Sequence, residues 1–299
     1  MTTTTIPTTG AETRAAKAAP RRRRRFDTVT LGLGLWTVLV YVFLFLPIAF
    51  VVIHSFTDSR DFTRWGGFTT RWYTRFLDNY NLKTSLTNSI KVALIATLIS
   101  VVLGGLAGIA LARRPGVWTK AFLALVFLVL VTPEIVDAIG LQIWFVNLGG
   151  IFRQGLVPLW IGQSIFSSAV VTLIVRARMA GLDESLEEAA ADLYATPARA
   201  FRQITLPLVY PALLAGGLLA FTFSLDNVII SQFVSVPGST TFPVYVFSSV
   251  RQVIRPDIGA ASAVMLGLTL LALGLVVAVL KRSGDSSSDI AATITGAGG

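Results

Sequence analysis

The chain has 299 residues, 54% hydrophobic and 14% charged, and a net charge of +9. Soluble domains carry about 25% charged residues, and here the apolar residues come in long unbroken runs, so a membrane domain is expected. Without cysteine the chain can form no disulfide, thiol nucleophile or cysteine metal site.

Residues 1–27 are rich in Thr, Ala and Arg and lack apolar periodicity, which reads as a disordered basic tail. With a pI near 10.3, Arg21–Arg25 could suggest nucleic acid. They stand directly before the first apolar run, however, where basic residues hold a chain end in the cytoplasm and attract anionic lipid. No nucleic-acid partner is expected. That run, Val29–Ile53, is long enough to cross the bilayer, which takes roughly 20 residues. It exceeds the roughly 7–15 residues of a cleavable signal core.

Residues 54–89 follow, with Trp65, Trp72, Tyr73 and Tyr80. Such aromatics form an interfacial belt, or alternatively meet an external partner. His54, the only histidine, reads as interfacial. Val92–Ala112 is the second span, where Gly104, Gly105 and Gly108 permit close helix approach. Arg113-Arg114-Pro115-Gly116 makes a tight turn. A third apolar run, Ala121–Val146, is broken only by Glu134 and Asp137, and Pro133 should kink it.

Leu148-Gly149-Gly150 turns the chain into Leu156–Val175, the fourth span. Leu206–Leu225, with Gly216-Gly217, is the fifth and ends at Asp226-Asn227. Ile258–Leu280 is the sixth, and residues 283–299 form a second disordered tail. Six transmembrane helices in one domain, 28–282, are therefore predicted. Lys and Arg outnumber those of the outer loops on the side that holds Arg21–Arg25, which places both termini in the cytoplasm.

Between the fourth and fifth spans, residues 183–207 are charged yet helix-forming. Ser185-x-x-Glu188 fits a capping box, with Asp183 a competing N-cap. Ala189, Ala190 and Ala191 favour helix. Thr196-Pro197 begins a second helix, and Leu206-Pro207 leads into the span.

Glu188-Ala189-Ala190, three residues, Tyr194, nine residues, then Ile204-x-Leu206-Pro207 resembles the EAA loop of ABC-importer permeases. The resemblance implies an all-α membrane protein of the type I importer permease (MetI-like) fold in the bacterial cytoplasmic membrane. It also implies that the loop docks on a separate ATPase, through Glu187, Glu188, Ala189, Ala190, Asp192, Tyr194, Ile204, Leu206 and Pro207. Tyr194 stands where the motif has glycine, which tolerates φ > 0 at the turn. Either the turn differs here, or Tyr194 adds an aromatic contact to the partner.

Phe221–Ser231, with Phe233-Val234, Thr241–Tyr245 and Thr132–Val136, is similar to polyamine-importer permeases of the PotC type. That similarity implies transport of spermidine or putrescine, with another amine, organic cation or unrelated small solute as the alternative. The implied partners are a second, homologous permease subunit in a heterodimer, two ATP-binding subunits and an extracytoplasmic solute-binding protein.

No G-x-x-x-x-G-K-[ST] phosphate loop occurs, so no cofactor is expected in this chain, and ATP and Mg belong to the partner ATPase. Glu134, Asp137, Asp226 and Asn227 are the candidate substrate pathway. A carboxylate at bilayer depth costs about 3 kcal/mol and normally faces a cavity. The alternatives are solvation near the outer surface, or pairing of Glu134 and Asp137 with Arg251 or Arg255. A membrane hydrolase would need a nucleophile–base set or a metal site, which one His and no Cys poorly supply. An ion-coupled carrier would commonly show internal repeats, and none is visible.

Overall fold

A computed structural model describes residues 28–61, 64–114, 116–251 and 255–282, with the side chains of 31–278 within that range. The two predicted tails, Arg21–Arg25 and Pro115 of the tight turn lie outside the described residues.

The chain divides into two compact units, Met1–Ile48 and Ala49–Gly299. Of the first, the structure describes the larger part of helix α1 (Thr28–His54), apolar throughout and exposed along its side chains. All remaining elements belong to the second unit. Its helices are α2 (Arg71–Asp78), α3 (Tyr80–Arg113), α4 (Val117–Val131), α5 (Glu134–Leu148), α6 (Val157–Ala180), α7 (Ser185–Asp192), α8 (Pro197–Ala200), α9 (Leu206–Asp226), α10 (Ile229–Val234), α11 (Phe242–Val250) and α12 (Pro256–Arg282). No strand occurs among the described residues; one isolated bridge joins Thr57 and Phe68.

Among the described residues, five helical stretches are long and apolar enough to cross a membrane, or six if the bent pair α4–α5 counts as one span. That pair corrects the expected kink. The chain turns by 104° between α4 and α5, and Pro133 is the N-cap of a new helix rather than a flaw within one. Thr132, held extended before proline, has ψ of 131° and ends α4. The fifth span also starts earlier than predicted, as one helical stretch from Pro197 to Asp226. A π-helical turn at Phe201–Thr205 lies within it. Pro207 has no N–H for the carbonyl of Gln203, and its ring crowds that carbonyl, which favours the widened turn just before it.

Helices α3, α6 and α9 pack mutually and form the centre of the bundle. A Cβ on Gly104 would lie 2.6 Å from the Ser168 carbonyl, and one on Gly108 2.8 Å from that of Thr172. The two glycines thus let the backbones of α3 and α6 meet without side chains between them, as small residues do in membrane helix pairs. On the same stripe, Ser100 donates to the Ala96 and Ser164 carbonyls at 2.7 and 3.3 Å. Amphipathic α2 buries Trp72 and Phe76 and packs on α12. His54 stacks on Phe50 and meets Trp65 edge-on.

Candidate functional site

Helix α7 begins without the expected capping box. Asp183 Oδ1 accepts from the Ser185 amide at 2.9 Å, while the residue before the helix, Glu184, makes no side-chain cap bond. The shorter Asp side chain closes this local ring with its own neighbour and so displaces the Ser–Glu exchange. Its bonds from the Ser185 amide and hydroxyl hold the Asp183 carboxyl below its ordinary pKa. Thr196 likewise makes no side-chain cap, although Pro197 does occupy the first helical position of α8.

The other end of α7 gives the turn geometry at Tyr194. Its N–H donates to the Ala191 carbonyl at 2.9 Å, and the Ala195 N–H donates to that of Ala190 at 3.0 Å. This is a Schellman C-cap, which requires a left-handed residue after the cap. Tyr194 supplies it, with φ of 58°, the sole positive φ of a non-glycine among the described residues. The glycine conformation is therefore retained by a tyrosine. An L-residue there costs about 1–2 kcal/mol, and the side chain is 96% exposed, so packing within this chain does not offset it.

Two carboxylates at the start of α7 fasten it to the bundle. Glu187 lies 3.2 Å from the Arg113 guanidinium and accepts from the Thr205 hydroxyl at 2.8 Å. Arg113 also pairs with Glu184 at 3.2 Å. Arg113 ends α3, and Thr205 closes the π-helical turn before α9, so α7 is tied to two of the three central helices. Ala190 faces inward and is buried, whereas Glu188, Ala189, Asp192, Tyr194 and Pro207 are exposed. Ile204 is half-buried and Leu206 is exposed at its margin. The sequence-predicted loop residues thus divide into a tethering set and an outward set.

Of the four intramembrane candidates, the structure joins two. Asn227, in the break between α9 and α10, donates through Nδ2 to Glu134 Oε1 at the start of α5. Asn227 Oδ1 accepts from the Ser231 amide at 3.1 Å. The Ser231 hydroxyl accepts from Gln163 Nε2 at 2.8 Å, and the Ser224 hydroxyl donates to Gln163 Oε1. Gln163, Ser224 and Ser231 are buried, so this is a connected polar seam across α5, α6, α9 and α10. Sequence reasoning missed these three residues because they carry no charge. The amide in the middle of the fourth apolar run was the available signal.

Asp137 lines a separate cleft of ≈ 330 Å³, together with Trp144 and Phe166. Asp226, at the end of α9, is exposed. Among the described residues neither has an ion-pair partner, and the alternative pairing of Glu134 and Asp137 with Arg251 or Arg255 does not occur. Arg255 binds Asp257 instead, and that hydrogen bond raises the Arg255 pKa. Arg251 stacks on Phe247 at 4.5 Å.

Residues 100–286 match the family described as binding-protein-dependent transport system inner membrane component. The chain is 37% identical over 235 residues to the putrescine transport system permease protein PotI of Escherichia coli K12, covering 77% of this chain and 82% of that relative. It is 33% identical over 226 residues to the spermidine/putrescine transport system permease protein PotC of the same strain, covering 76% and 85%. Among solved structures, a chain of a bacterial ABC transporter involved in the import of the acidic polysaccharide alginate superposes with a TM-score of 0.65. It is 15% identical and the match covers 88% of this chain and 99% of that one. This last likeness shows the shared fold.

Proposed function

The chain belongs to the inner-membrane components of binding-protein-dependent transport systems, and from that premise we propose that it carries polyamines, putrescine or spermidine. It is a permease subunit of an ABC importer, resident in the inner membrane and without ATPase chemistry of its own. Such permeases work with a solute-binding protein and an ATPase.

The polyamine reading is carried by similarity over about three quarters of the chain to permeases named for putrescine and spermidine. Chemistry agrees with it. Glu134, held by Asn227 at the break between α4 and α5, offers a carboxylate to an ammonium group where water is thin, and attraction there is stronger than in bulk water. Asp137 and Asp226 extend the acidic character. The alternative, another small solute, is kept in view by the alginate importer, since the same fold serves a very different cargo.

In this reading the chain pairs with a homologous permease to form the passage, and two ATP-binding subunits hold ATP and Mg. Both termini lie in the cytoplasm. The outward residues Glu188, Ala189, Asp192 and Tyr194 meet an ATPase subunit. Its closure moves α7, and Glu187 transmits the movement to α3 through Arg113 and to α9 through Thr205, so the cavity changes the side to which it opens.

Reconstitution with the neighbouring permease, ATPase and binding-protein chains tests this. Saturable, ATP-dependent uptake of labelled putrescine or spermidine, abolished by Glu188→Arg, is expected. ATP hydrolysis stimulated by some other solute, without amine uptake, would overturn the polyamine assignment.

A further inference from the structure

The left-handed Tyr194 makes a physical demand that its own chain does not meet. At this position glycine would sit without strain, yet the sequence places a large aromatic there and leaves it 96% exposed. Leu193 beside it is 82% exposed. Both side chains stand in solvent just beyond the C-terminal end of α7, which carries exposed Asp192 and Glu188 on one face at a spacing of four.

We propose that Leu193 and Tyr194 form an apolar knob that inserts into the ATP-binding subunit and makes this loop selective for its own ATPase. The proposal rests on the reading of residues 183–207 as the docking loop and goes one step further, to the shape of the partner surface. That surface carries a slot lined by apolar side chains that admits an aromatic ring, flanked by basic groups facing Glu188 and Asp192. Tyrosine is among the side chains that most often dominate binding at an interface, because a rigid amphipathic ring buries much area for few rotatable bonds.

The left-handed backbone contributes direction. It sets the direction of the Cα–Cβ bond before the partner arrives, so only the side-chain torsions remain to be ordered at the moment of docking. An ATPase whose groove is shaped for a glycine at this point would meet the ring as an obstruction, which is discrimination by exclusion as well as by fit.

The competing occupant is the lipid headgroup layer, which also attracts tyrosine. Local charge disfavours it. Asp183, Glu184, Glu187, Glu188 and Asp192 fall within ten residues, and an anionic membrane surface repels such a cluster.

The test uses the assembled permease pair in nanodiscs, titrated with its purified ATP-binding subunit and read by fluorescence anisotropy at two anionic-lipid contents. Tyr194→Gly is expected to weaken binding about tenfold while the thermal midpoint of the permease holds or rises. Tyr194→Phe should stay within about threefold of the wild type. Glu188→Arg, run in parallel, should abolish binding. Wild-type affinity for Tyr194→Gly, with Glu188→Arg still defective, would overturn the knob and leave the docking loop standing. Wild-type affinity for both would overturn the docking loop itself. A defect in Tyr194→Gly that appears only at one lipid content would assign the ring to headgroups and also overturn the knob.

Discussion

Arg113, the last residue of α3, reaches Glu187 on α7 at 3.2 Å, and the same carboxylate accepts from Thr205 at 2.8 Å. One acidic side chain therefore joins a short polar helix to two long central ones. Side-chain exposure is 17% for Arg113 and 30% for Glu187, so solvent screens the pair only in part.

A double-mutant cycle should find this pair energetically coupled. For Arg113→Gln, Glu187→Gln and the double variant, the expected interaction energy is about 1 kcal/mol, the upper part of the range for ion pairs near a surface. The functional signature is more specific than the stability change. Glu187→Gln should still bind the ATPase, because its side chain faces the bundle, but stimulation of ATP hydrolysis by loaded binding protein should fall. Glu188→Arg, on the outward face, should lose binding first. Equal binding losses in both variants would remove the distinction between tether and docking face.

Gly108→Val should disrupt the contact between α3 and α6. Even the first carbon would lie 2.8 Å from both the Thr172 carbonyl and Val175 Cβ, and backbone has little freedom to retreat. Overpacking of this kind costs about 1–3 kcal/mol. Gly140→Val is the control, since a Cβ there meets nothing within 4 Å. Thermal midpoints in detergent should drop for the first and change little for the second.

Apolar run length made most spans legible in the sequence, and motif spacing made residues 183–207 legible. What escaped were features set by competition between nearby groups. Asp183 outcompeted the Ser185–Glu188 box because it reaches the Ser185 amide through a shorter ring. Pro133 began a helix instead of bending one, since Thr132 before it was driven into extended backbone. At Tyr194, sequence left two outcomes open, because helix-end geometry depends on whether the Schellman bonds outweigh an unfavourable φ. The division between Glu187 and Glu188 was likewise invisible, as adjacent helical residues point about 100° apart and only the position of Arg113 decides which faces inward.

Gln163→Leu should be costly for its size. Removing the amide leaves the Ser224 hydroxyl without its Gln163 partner and the Ser231 hydroxyl with only a long 3.5 Å bond to Asn227 Oδ1, and an unsatisfied buried group costs about 1–3 kcal/mol. A combined Gln163→Leu, Ser224→Ala, Ser231→Ala variant removes both hydroxyls too and should recover part of the lost thermal stability. Recovery would show that the seam's cost lies in satisfaction of polar groups; a further additive loss would show that each member stabilises the bundle independently.

Glu134→Gln separates charge from shape at the start of α5. The amide keeps an oxygen that can accept the Asn227 Nδ2 bond, so the break between α4 and α5 should hold and the thermal midpoint should change little. What disappears is the negative charge. If an ammonium group of the cargo passes this point, the loss of one charge-assisted hydrogen bond, worth about 1.5–3 kcal/mol, should reduce amine uptake about tenfold or more. ATPase binding at the distant α7 should be unaffected. Asp137→Asn, in its separate cleft with Trp144, distinguishes a single gate from a continuous acidic path. A defect in Glu134→Gln alone points to a gate at the α4–α5 break, and comparable defects in both point to a path along α5. Wild-type uptake in both, with the proteins intact, would leave the acidic side chains of α5 with no part in transport.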